Sequence, residues 1–205
     1  MKRPEFIARQ GRCPSGLLGR LLARLMAIET TPENAMALQL LELQTDDRVL
    51  EIGFGHGKTL GQAADTVEHG FVAGVDPSQD MWRMATRRHR RLIAQERVEL
   101  KLGDSRRIPY EDQRFNKIFS VNTIYFWPDP AEDFREIRRV LSGGGRFVLG
   151  FHPGDDRVLA DFPASVYRFY SPNEVESLLQ SAGFEQVRIV KIPDPSRNFL
   201  FAVAH

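Results

Sequence analysis

The chain has 205 residues, 42% of them hydrophobic, which suits one domain with a sizeable core and leaves two independent domains cramped. Lys and Arg total 28 against 27 for Asp and Glu, a balance that argues against a surface committed as a whole to nucleic-acid phosphates. Cys13 is the one cysteine, so this chain has no disulfide framework and no cysteine-based metal site, and with no apolar run of the roughly 18 residues that cross a bilayer the expectation is a cytoplasmic protein without a metal.

Residues 1–28 carry Lys2, Arg3, Arg9, Arg12, Arg20 and Arg24 against Glu5 alone, and those arginines interrupt any signal-peptide core. Leu17, Leu18, Leu21, Leu22, Leu25 and Met26 recur at helical spacing and predict an amphipathic helix, which either lies over a site as a lid or rests on an anionic membrane. Thr31 and Pro32 read as the N-cap and first helical position of a second helix from about Pro32 to Leu43. Residues 1–45 are therefore read as a helical cap and 46–205 as the main domain of one compact unit.

From there strands and helices alternate. "RVLEIG" is a short apolar strand, the loop "EIGFGHGKT" opens a helix to about Glu68, and "FVAGVD" is the next strand. Ser78 starts a long basic helix to about Gln95, followed by the strands "VELKLGD" and "FNKIFSVN". Asp129-Pro130 caps a helix ending near Leu141, "SGGG" breaks the chain, and "GRFVLGFH" is a fifth strand. Ser171-Pro172-Asn173-Glu174 reads as a capping box for a helix stopped at Gly183. "FEQVRIVKIP" and "FLFAVAH" are separated only by "DPSRN", too short for a crossover helix, so they pair as an antiparallel hairpin. The pattern predicts an α/β three-layer sandwich with a mostly parallel seven-stranded sheet, whose ligand sits beyond the carboxyl ends of the strands, where "EIGFGHGKT" falls.

Three ligands compete for that loop. "GKT" matches the end of a phosphate loop, whose first glycine would fall on Ile52; the dinucleotide pattern starting at Gly53 wants glycine where Lys58 stands. What remains is an acidic residue followed by alternating glycines: Glu51, Gly53, Gly55, Gly57. Glycines at 53 and 55 let the backbone approach a ligand where a Cβ would stand. Asp76, 23 positions after Gly53, is placed to accept ribose hydroxyls of either a nicotinamide dinucleotide or S-adenosylmethionine, or to cap the following helix.

With "GVD" ending the second strand and "GDS" the third, the stretch from about Arg48 to His205 resembles the class I S-adenosylmethionine-dependent methyltransferases, a Rossmann-like family whose sheet closes with an antiparallel strand. "NTIYFWPDP" and "RFYSPNEVESLLQSAGF" are similar to the small-molecule methyltransferases of ubiquinone and menaquinone biosynthesis. The resemblance implies that Glu51 accepts the cofactor's ammonium end, that Asp76 holds the ribose with Pro77 and Met81 bordering the adenine, and that Asp104 and Ser105 meet the adenine ring. It also implies that Asn122, ending strand four, lies beside the methyl group.

Tyr125, Phe126 and Trp127 are expected to wall the acceptor, with Tyr125 orienting a nucleophile and His152 as the candidate general base. Tyr167 and Tyr170, in a long connection of the kind that forms lids, are further candidate acceptor contacts. A small-molecule acceptor is expected. The arginines of "WRMATRRHRRLIAQER" lack interleaved aromatics, which argues against nucleic acid. The oligomeric state stays open. A nicotinamide-dependent oxidoreductase and a non-catalytic cofactor-binding protein remain the alternatives, and within the methyltransferases a lipid or RNA acceptor.

Overall fold

Strands apolar on both faces must be covered on both faces, and that requirement organises the chain. A computed structural model describes residues 5–16, 19, 30–154, 161–194 and 197–205. Seven strands, β1 (Arg48–Ile52), β2 (Phe71–Asp76), β3 (Val98–Leu102), β4 (Phe115–Val121), β5 (Leu141–Phe151), β6 (Val187–Lys191) and β7 (Leu200–Ala204), form one sheet in the order β3-β2-β1-β4-β5-β7-β6. The pairs among β1 to β5 are parallel, and β7 runs antiparallel to both β5 and β6. The expected hairpin is therefore present, with β7 inserted beside β5 and β6 at the edge.

Alternation along each strand divides the core in two. Val49, Val72, Phe119, Val148, Phe201 and Val203 face one layer, where α2 (Thr31–Leu41), α3 (Lys58–Thr66) and α4 (Gln79–Arg88) bury Leu41, Leu60, Ala63 and Ala85. Leu50, Val75, Ile118, Phe147 and Leu149 face the other, closed by Phe134 and Ile137 of α6 (Pro130–Val140) and Val175 and Leu179 of α7 (Pro172–Ser181). Strand order reverses between β1 and β4, so the loop after β1 opens at the switch point.

The caps predicted at Asp129 and Ser171 form, whereas α2 begins at Thr31 itself, with Thr30 ahead of it making no side-chain cap hydrogen bond. Asp129 accepts from the amides of Ala131 and Glu132, and Ser171 and Glu174 make both halves of the capping box. Two further expectations need correction. The long basic helix is broken at His89 into α4 and α5 (Arg90–Ala94), because His89 turns inward and its Nε2 donates to the Gly57 carbonyl (2.6 Å), with its backbone outside the helical region (φ −101°, ψ 18°). "SGGG" is no break but a bulge within β5, since Phe115 opposes Leu141 while Lys117 already opposes Arg146. The amphipathic stretch Leu17–Met26 lies outside the described residues apart from Gly19, as does the segment 155–160 of the long connection. Ahead of that stretch lies a short helix, α1 (Glu5–Arg12), that the periodicity did not single out.

Gly74 shows how closely the glycine loop is seated on the sheet. A Cβ there would stand 2.6 Å from Phe54 Cδ1 and 2.7 Å from Leu60 Cδ1. Gly74→Val is expected to lower the unfolding free energy by about 1–3 kcal/mol, the scale of overpacking a filled core. Denaturant titration checks it, and an unchanged midpoint would mean that the loop yields freely.

Candidate cofactor and acceptor site

The carboxyl ends of β1, β2, β3 and β4 border one cavity of about 440 Å³, in the range of ordinary small-molecule sites. The glycine loop forms its floor, and its glycines do different work. Gly55 (φ +54°) donates its N–H to Asp76 Oδ2 (2.8 Å), and a Cβ on it would meet no protein atom within 4 Å, so it faces open space. Gly57 (φ +78°) begins α3 away from the cavity; a Cβ there would fall 2.9 Å from Ala85 Cβ and 3.1 Å from His89 Nε2. Gly53 lines the cavity and Gly57 does not, so Gly57 serves helix packing.

Two buried carboxylates share this floor. Glu51, 5% exposed, accepts the Leu60 N–H in the first turn of α3, while its Oε2 is buried without any donor. Burial, reinforced by the neighbouring Asp76, holds the Glu51 carboxyl well above its ordinary range. Asp76, 6% exposed, accepts from the amides of Ser78 and Gly55 (both 2.8 Å), and burial raises its pKa to about 6. Ser78, not Asp76, is the N-cap of α4, accepting from Met81 N. Pro77 and Met81 line the cavity beside Asp76.

Asp104 and Ser105 border the same space. Asp104 is half exposed and leans on Arg106, whereas Ser105 is buried and its Oγ donates to Asp133 Oδ1 (2.5 Å). Asp133 is a third buried acid, pushed to about 6 by burial, that its place in the first turn of α6 did not mark out. Asn122 lines the cavity in a left-handed conformation (φ +61°), which asparagine tolerates better than most residues. His56 also lines it.

The acceptor residues divide. Phe126 and Trp127 line the cavity with Pro128 and Val121. Tyr125 does not: it is 5% exposed, its hydroxyl donates to Asn122 Oδ1 (3.2 Å) and accepts the His152 N–H (2.5 Å), and burial pushes its pKa far up. It joins the ends of β4 and β5 from within the core. His152 is likewise outside the cavity, because its Nδ1 donates to the Asn198 carbonyl (2.9 Å) and its ring meets Phe199 edge-on at 4.7 Å. Tyr170 is a core residue with a buried hydroxyl, and Tyr167 stacks among Phe126, Phe162 and Phe169 one layer behind the wall.

Several contributors escaped the sequence reading because no motif marks them. Gly11, Arg12, Cys13 and Pro14, at the end of α1 and beyond it, border the cavity. They are held there by Ser78 Oγ donating to the Pro14 carbonyl (2.5 Å) and by Gly16 N–H donating to Asp80 Oδ2 (2.7 Å). Thr30 and Asn34 close the side toward α2. His89, whose only sequence signal was a histidine inside an arginine run, pins the carbonyl of Gly57 from beneath. Among the described residues no group of three His, Cys, Asp or Glu side chains could hold a metal, and no helix is long and apolar enough to cross a membrane.

A parallel sheet whose switch-point loop carries an acidic residue and spaced glycines, followed by an acid at the end of the next strand and closed by an antiparallel β7, defines the S-adenosylmethionine-binding class of α/β proteins. The Methyltransferase domain family matches residues 50–149. YrhH of Bacillus subtilis, a candidate methyltransferase, is 32% identical over 63% of this chain and 71% of its own length. The rice chloroplastic 2-methyl-6-phytyl-1,4-hydroquinone methyltransferase 1 is 32% identical over 71% of this chain. The crystal structure of a SAM-dependent methyltransferase from Aquifex aeolicus superposes with a TM-score of 0.69 at 24% identity, covering 85% of this chain and 88% of that one. The chain belongs to the class I S-adenosylmethionine-dependent methyltransferases. It spans 43% of the rice enzyme and 42% of a Streptomyces fradiae protein of transposon TN4556 that is 34% identical over 72% of this chain.

His89 offers a test of the loop's anchoring. Burial lowers its pKa below the ordinary 6.5, so the unfolded chain binds the proton first as pH falls. The stabilisation from neutral His89 is therefore present above about 6.5 and is lost below it. His89→Leu should cost about 1–2 kcal/mol at pH 8 through the lost hydrogen bond to Gly57, and the gap from wild type should narrow toward pH 5. Unfolding midpoints across that range are the check; a gap independent of pH would remove histidine titration from the loop's stability.

Proposed function

We propose that the chain transfers the methyl group of S-adenosylmethionine to an O, N or S atom of a small, partly apolar acceptor. The observation that carries this reading is the pair of buried carboxylates, Glu51 and Asp76, beneath a glycine loop whose Gly55 faces open space. Glu51 Oε2, buried without a donor, suits the cofactor's ammonium. Asp76 has lone pairs left beyond its two backbone donors for ribose hydroxyls. Pro77 and Met81 would flank the adenine, Asp104 would accept its amino group, and the Ser105 backbone would meet the ring.

Bound S-adenosylmethionine supplies a methyl group on an already activated leaving group. The residues then have to orient the acceptor in line and keep water out. Phe126, Trp127, Pro128 and Val121 offer an apolar wall for a flat acceptor, in keeping with a relative named for a hydroquinone. His152 and Tyr125 face away from the cavity, so the acceptor that suits this site arrives ionised or intrinsically nucleophilic and needs neither as a base. Residues 11–14 of the amino-terminal segment take the part of a cover.

Titration calorimetry with S-adenosylhomocysteine and NADH tests the cofactor assignment: the first should bind and the second should not. Asp76→Ala should weaken S-adenosylhomocysteine by about 1.5–3 kcal/mol, the scale of hydrogen bonds to a charged group. Incubation of S-adenosylmethionine with a panel of phenols, thiols and amines, with demethylated cofactor as the readout, tests the acceptor class. Binding of NADH alone, or an Asp76→Ala protein of undiminished affinity, would contradict the reading.

A further inference from the structure

Lys58 is the loop residue left without a role once the phosphate-loop reading fails at Ile52. It is the first residue of α3, it borders the same cavity as Glu51, and its Nζ donates to Thr31 Oγ1 (3.0 Å) at the start of α2. A hydroxyl occupies one of the three donors of an ammonium. Among the described residues no carboxylate forms an ion pair with Lys58.

Its surroundings indicate what the remaining donors serve. Two residues further along the same helical turn, the Leu60 N–H holds the Glu51 carboxylate, whose Oε2 is buried and has no donor. The first turn of α3 thus brings together, at the border of one cavity, a Glu51 oxygen without a donor and an ammonium that has no ion-pair partner among the described residues. A ligand that satisfies both carries an ammonium and a carboxylate close together, as an α-amino acid does on a single carbon. The positive end of the α3 dipole adds to the attraction for the carboxylate.

We propose that Lys58 binds the carboxylate of the cofactor's amino-acid tail, so that the first turn of α3 reads a zwitterion, with Glu51 on the ammonium and Lys58 on the carboxylate. This rests on the cofactor reading above and extends it to a residue outside the acidic and glycine positions of the motif. The site would then discriminate by the tail as well as by the adenosine.

S-adenosylhomocysteine and 5′-methylthioadenosine share the adenosine and the sulfur, and only the first carries the amino-acid tail. Calorimetry without acceptor on wild type, Lys58→Met and Lys58→Arg separates the possibilities. Lys58→Met should weaken S-adenosylhomocysteine about tenfold or more while leaving 5′-methylthioadenosine within about twofold, and Lys58→Arg should recover part of the loss. Equal weakening of both ligands would make Lys58 a structural residue and overturn the proposal. Undiminished S-adenosylhomocysteine affinity in Lys58→Met would overturn it as well. A wild-type protein that binds neither ligand would remove the cofactor reading itself, and this inference with it.

Discussion

Two acids buried side by side at the ends of adjacent parallel strands are the constraint around which the rest of this site is arranged. Glu51 is paired across the sheet with Gly74, and Asp76 ends the same strand two residues later. Each carboxylate is stripped of water and sits in the other's field, so ionising either is unfavourable unless donors or a cation answer it. The backbone answers in part. Gly55 and Ser78 turn their amides onto Asp76, and Leu60 turns its amide onto Glu51. The loop between β1 and α3 can do this only by passing through glycines with positive φ and by bringing the start of α3 against the strand ends. What the backbone leaves unanswered is the second oxygen of Glu51, buried without a donor in a residue that borders the cavity, and this is the feature that suits a cationic ligand.

The supporting contacts follow from that demand. The loop must hold its path under the strain of two acids, and His89 fixes it from below through the Gly57 carbonyl at the expense of a helix break. Phe54 and Leu60 anchor it from the side, in space that Gly74 keeps open. Across the cavity, Asn122 adopts a left-handed turn that aims the chain after β4 so that Phe126 and Trp127 face the ligand space while Tyr125 is drawn into the core. The family's chemistry needs placement and dryness more than proton transfer, and the wall that this turn creates is apolar.

Much of this was legible in the sequence because it is written in short-range signals. Strand alternation, the caps at Asp129 and Ser171, the acidic-glycine spacing and the short link before β7 each depend on neighbours within a few residues, and each describes the structure. The errors lie where a side chain's direction depends on distant packing. Tyr125, Phe126 and Trp127 are consecutive in a single turn of 3₁₀ helix and the residue that ends it, so the residue that faces the cavity is decided by Phe169 and Tyr167 from the connection after β5. His152 follows its strand as expected but is captured by the Asn198 carbonyl ahead of β7, a partner 46 residues away. His89 and the segment from Gly11 to Pro14 carry no periodicity that would separate them from ordinary surface. The "SGGG" bulge could not be told from a loop, since only the register with β4 reveals that the strand continues.

The central claim is that Glu51, its carboxyl held above the usual carboxylate range by burial and by Asp76, keeps one oxygen without a donor until a cationic ligand takes it. A cation beside that oxygen favours the ionised carboxyl, so binding draws the Glu51 pKa down. Calorimetric titration of S-adenosylhomocysteine at about pH 6, in two buffers of different ionisation enthalpy, counts the protons released by wild type and by Glu51→Gln. The account predicts that wild type releases more protons on binding than the variant does. Equal proton counts in the two proteins, with binding retained in both, would contradict it.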